Sequence, residues 1–67
     1  MDFGDKLKQV RTQLKLSQEG MARELGIAFP TFNNLENKKR QPSLETQRAF
    51  DAFCEKKGIK AGGKQNG

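Results

Sequence analysis

The 67-residue chain has no histidine, a single cysteine and no long apolar run. Without histidine it lacks the commonest general base and metal ligand, and no cluster of cysteines or acids takes its place. No transition-metal site and no imidazole-activated nucleophile are therefore expected. No Gly-rich phosphate loop is present either, so the chain reads as a non-enzyme that needs no cofactor. Cys54 alone cannot form an internal disulfide, which suits a reducing cytosol. No stretch approaches the length that spans a bilayer. The start, Met-Asp-Phe-Gly-Asp, is neither basic nor apolar enough for an export signal. The expectation is a cytoplasmic protein of one small domain, near the lower size limit for folding without staples.

What the chain has in excess is positive charge. Thirteen Lys and Arg face eight Asp and Glu, giving +5 and a pI of about 9.7. That balance favours a polyanionic partner, a nucleic acid or an anionic membrane surface. A membrane role is the weaker of the two, because the apolar residues are divided among four short segments and form no single long face.

Those segments have helical spacing. Phe3, Leu7, Val10 and Leu14 recur at intervals of four, three and four, which aligns them on one face, with Asp2 as N-cap and Asp5 in the first turn. Ser17 caps a second helix with Met21, Ala22 and Leu25 inward, and Gly26 supplies the backbone freedom for a tight turn that Ile27 plugs. A third helix covers 29 to 36, with Phe32 and Leu35 inward and Pro30 tolerated in its first turn; its cap falls at Ala28 or Phe29. Residues 37 to 42 form a basic loop. Ser43 caps a fourth helix to about Lys57, with Leu44, Ala49, Phe50, Phe53 and Cys54 as its apolar positions. Gly58 ends that helix and Ile59 folds back on it. The domain is expected at 1–59, and the Gly- and Lys-containing tail at 60–67 is expected to be disordered. The fold class is all-α, a compact bundle of four to five helices.

The pattern resembles the phage Cro and repressor type of helix-turn-helix, the XRE family. The matching residues are Arg11, Leu16-Ser17-Gln18-Glu19, Met21-Ala22, Leu25-Gly26-Ile27, Thr31-Phe32, Leu35-Glu36-Asn37 and Lys39-Arg40 with Pro42-Ser43. They cover roughly residues 5 to 57. The resemblance implies a lambda-repressor-like fold, a double-stranded DNA partner, a homodimer and a role in transcription, more commonly as a repressor. It implies that the third helix enters the major groove. Gln18 would meet a phosphate and brace the first residue of that helix, and Arg11 and Glu36 would form a partly buried ion pair that fastens helices together.

The residue types fit those places. Asn33 and Asn34 can pair with adenine, Thr31 can bond a base or touch a thymine methyl, and Phe29 beside Pro30 offers apolar contact. With no Arg or Lys on this surface, strong guanine reading is not expected, and A·T preference or reliance on DNA shape is. Lys38, Lys39 and Arg40 would contact phosphates.

Three positions depart from the family pattern. Lys38 stands where a glycine usually closes the third helix, so Asn37 or Lys38 must take an unusual backbone angle or the loop another path. Ala28 is a poor cap, and Gly20 leaves a capping box incomplete. Phe50, Phe53, Cys54 and Ile59 are either core or partly a dimer seam. The Phe29-Pro30 start also suits a second reading, an antitoxin-like or accessory module that binds a protein partner on the same fold.

Overall fold

The computed structural model describes residues 2–59; the tail at 60–67 lies outside the described residues. Four helices follow one another: α1 (Phe3–Gln13), α2 (Gln18–Leu25), α3 (Phe29–Glu36) and α4 (Leu44–Lys57). Three begin at the caps expected from sequence. Asp2 accepts from the Asp5 N–H at 3.0 Å, Ser17 from the Gly20 N–H at 2.9 Å and Ser43 from the Thr46 N–H at 3.1 Å. The third has Ala28 as its N-cap residue in extended conformation, with no side-chain bond to the orphan N–H groups.

The helix ends share one device. After each helix, one residue turns left-handed and the N–H that follows it reaches back to a carbonyl five residues earlier. At α2 and α4 that residue is Gly26 (φ 72°) and Gly58 (φ 71°), where the absence of a Cβ makes it easy. At α1 and α3 it is Lys15 (φ 59°) and Lys38 (φ 64°), with Leu16 N–H to Arg11 O at 3.0 Å and Lys39 N–H to Asn34 O at 2.8 Å. Of the alternatives left open by the missing glycine after α3, Lys38 itself carries the positive angle.

The core is drawn from all four helices: Leu7, Val10, Met21, Ala22, Leu25, Phe32, Leu35, Phe50, Phe53 and Cys54. α3 packs on both α1 and α2, and α2 on α4. The Phe3 ring meets Phe50 edge-on, centroids 5.2 Å apart. Burial, with the nearby Asp51 charge adding to it, pushes the Cys54 thiol up, so it stays protonated and inert. Phe50, Phe53 and Cys54 are thus spent inside the protomer and are not free to form a dimer seam.

Leu44 departs from expectation. It is 61% exposed, because it lies six positions before Phe50, which carries it about 120° around the helix from that buried residue. Gly4 was not singled out in the sequence, yet it decides how α1 meets α3. A Cβ at this buried position would lie 2.7 Å from the Leu35 carbonyl oxygen and 3.1 Å from that of Glu36. Only glycine lets the first turn of α1 rest on the last turn of α3.

Candidate nucleic-acid interface

The turn at Gly26 sets α3 across α2, and a polar network then locks it. Glu36, its side chain only 4% exposed, accepts from Arg11 Nε at 2.6 Å and from Arg11 Nη2 at 3.4 Å. Arg11 also donates through Nη1 to the Leu16 carbonyl at 3.1 Å, tying the α1–α2 connection into the same cluster. Gln18 Nε2 donates to Glu36 Oε1 at 2.6 Å, and Gln18 Oε1 accepts from Asn33 Nδ2 at 3.2 Å. Asn33 Oδ1 in turn accepts from Asn37 Nδ2 at 3.1 Å. No buried side-chain polar atom among the described residues lacks a partner. A buried carboxylate held in this way orients α3 more than it stabilises the fold, since desolvation offsets much of the attraction.

The expected Arg11–Glu36 pair is present. The brace from Gln18 lands elsewhere than the resemblance implied. It reaches Asn33, one turn into α3, because Phe29 at the head of the helix has no hydrogen-bonding group. Asn33 was expected to face bases; its amide is instead engaged with Gln18 and Asn37. The sequence singles out Asn37 for the family match and the turn after α3 but not for this side-chain bond, although its spacing of four from Asn33 is the signal that could have found it.

The rest of the outer face is less committed. Phe29 is 44% exposed and Pro30 exposed, while Thr31 and Asn34 are half-buried. Thr31 lies toward the following loop and lines a cleft of about 110 Å³ with Leu35, Arg40 and Ser43. Neither Thr31 nor Asn34 makes a side-chain hydrogen bond among the described residues.

The basic run does not act as a unit. The left-handed turn at Lys38 sends its side chain back over the start of α1, where Nζ lies 3.1 Å from Asp5 Oδ1 and 3.5 Å from Asp2 Oδ2. The Asp5 partner, with Asp2 beside it, holds the Lys38 ammonium above its ordinary pKa. The Asp2 carboxyl sits below its ordinary value, chiefly through the Asp5 N–H it accepts and secondarily through the Lys38 charge. Lys39 and Arg40 are exposed and form no ion pair among the described residues. The phosphate contact expected of Lys38 therefore competes with two carboxylates, and that of its two neighbours does not.

Two helices crossed at a left-handed glycine, with the second braced from behind and cations at its exit, define a helix-turn-helix. The helix-turn-helix family model matches residues 7–50, well over half the chain. The chain belongs to this family, the XRE type of helix-turn-helix found in transcriptional regulators. It is 32% identical over 53 residues to the HTH-type transcriptional activator BcrR of Enterococcus faecalis, covering 79% of this chain and 26% of that protein. It is 41% identical over 44 residues to the uncharacterized HTH-type transcriptional regulator YqaE of Bacillus subtilis (strain 168), covering 66% of this chain and 38% of that one. The matched region thus spans well under half the length of either relative. No solved structure gives a significant match. No helix among the described residues is long and apolar enough to cross a membrane.

Proposed function

We propose that the chain binds double-stranded DNA sequence-specifically and regulates transcription, with α3 docked in the major groove and no chemistry performed on the duplex. The observation that carries this reading is the convergence of a braced α3 with the exposed cations Lys39 and Arg40 at its exit, which form no ion pair among the described residues. Each phosphate neutralised steepens the fall of affinity with salt by close to one unit of slope. Gln18 retains one amide hydrogen for a phosphate near the α2 N-terminus, beside the N–H groups that the helix start leaves open.

The chain acts in the cytoplasm, where duplex DNA is accessible, as a homodimer on a two-fold site with half-sites about one helical turn apart. Exposed Leu44, and not the buried Phe50 and Phe53, is the apolar residue available to a dimer seam. Repression follows when such a site overlaps a promoter and excludes the polymerase.

Binding measured on duplexes recovered from a random pool, at two salt concentrations, tests the docking. Lys39→Ala weakens binding to all sequences about equally and lowers the salt slope by about one, while Asn34→Ala relaxes sequence preference. If both variants bind like the parent, the docking is wrong. A protein-interaction module is the second reading, favoured by the exposed Phe29 and Leu44. It expects log K for duplex to stay flat as salt rises.

A further inference from the structure

We infer that α3 selects T·A-rich major groove through two residues, with exposed Phe29 seated on thymine 5-methyl groups and Asn34 bonding an adenine, while Asn33 serves as a positioning residue. This rests on the docking of α3 proposed above.

The inference follows from what each residue of α3 still has to offer. Between 29 and 36 there is no Lys or Arg, so the bidentate contact that reads guanine has no donor. Glu36, which could accept from cytosine, is buried and carries three hydrogen bonds. Asn33 would need both its amide oxygen and nitrogen aimed together at adenine, and the hydrogen bonds to Asn37 and Gln18 hold that amide within the brace, leaving it a single spare N–H. Pro30 donates nothing, and Thr31 lies toward the loop cleft. Asn34 is left as the one amide of the helix without a hydrogen bond among the described residues.

Phe29 is the other resource. It and Leu44 are the only large apolar residues that stand exposed among the described residues, and Phe29 alone lies on α3. An exposed aromatic at the head of a groove-entering helix buries its surface only against something apolar. The thymine methyl is the apolar group that a base pair presents in the major groove. Phe29 and Asn34 are five residues apart, about 7.5 Å along the helix axis, so they address different base pairs.

The test uses duplexes that the chain recovers from a random pool, resynthesised with deoxyuridine for thymidine. Uracil keeps the pairing and the hydrogen-bonding pattern and removes only the 5-methyl. The parent protein is expected to bind the uracil duplex about fourfold more weakly for each methyl buried, from the transfer free energy of one methylene-sized group. Phe29→Ala, whose folding is checked by circular dichroism, is expected to bind both duplexes alike. Asn33→Ala is expected to lower affinity without changing the preferred sequence, because its role is to hold the helix. Equal binding of the two duplexes by the parent overturns the inference even if Phe29→Ala fails to fold, as does recovery of G·C-rich sequences. If Lys39→Ala and Arg40→Ala weaken binding while thymine and uracil behave alike, the docking stands and only this inference falls. If those variants bind like the parent, both fall.

Discussion

Glu36→Ala is the substitution that most directly probes how α3 is held. The carboxylate accepts three hydrogen bonds, two from Arg11 and one from Gln18, from a site where its side chain is 4% exposed. Removing it strands a guanidinium that is itself only 19% exposed and keeps one partner, the Leu16 carbonyl. Deleting one member of a buried pair costs about 3–5 kcal/mol. Arg11 retains some water and its carbonyl bond, which sets the expectation at the lower end, about 3 kcal/mol. A domain of this size has about 3–10 kcal/mol of stability in all, so the variant sits close to unfolding. With neither Trp nor Tyr to report by fluorescence, urea unfolding is followed by far-ultraviolet circular dichroism. A urea slope of about 1 kcal/mol per molar, at the low end for small proteins, converts the loss into a midpoint about 3 M lower. Replacing both partners by apolar residues of similar shape, Arg11→Met with Glu36→Leu, is expected to recover most of the loss, because no charge is left stranded. Stability of Glu36→Ala within about 1 kcal/mol of the parent would refute the network as the fastener of α3, as would a double variant less stable than the single.

The remaining predictions concern the ends of the helices. Gly4→Ala forces a methyl against the Leu35 carbonyl and is expected to cost about 1–3 kcal/mol. In thermal unfolding that is a fall of about 4 °C or more, and an unchanged midpoint would mean that α1 can rise off α3 freely. Ala28→Ser supplies the cap that α3 lacks and is expected to add about 1 kcal/mol in the same assay. The Asp2 carboxyl, followed by NMR, is expected to titrate below 3.8. Because its folded pKa is the lower one, its contribution to stability is present above that value and is lost as pH falls through the folded midpoint. In Lys38→Ala the midpoint moves back toward 3.8 but stays below it, since the Asp5 N–H remains; a midpoint that does not move would deny the Lys38 contact.

The sequence by itself carried the helices, three of the four caps and most of the core. Those features depend on near neighbours: Ser17 and Ser43 each reach a backbone N–H three residues on, and the spacing of Leu7 and Val10, or Met21 and Leu25, follows the helical period. The same locality made Leu44 look like core, since membership of an apolar list does not give its angle around the helix. Tertiary structure decided which polar groups are already taken. Whether Asn33 meets a base depends on Gln18, fifteen residues earlier, and the path of Lys38 depends on Asp2 and Asp5, more than thirty residues earlier. Gly4 matters only because the last turn of α3 lies against it. Local propensity fixes where a helix begins and which face is apolar, but the choice among competing hydrogen-bond and charge partners is settled by groups brought together only when the helices pack.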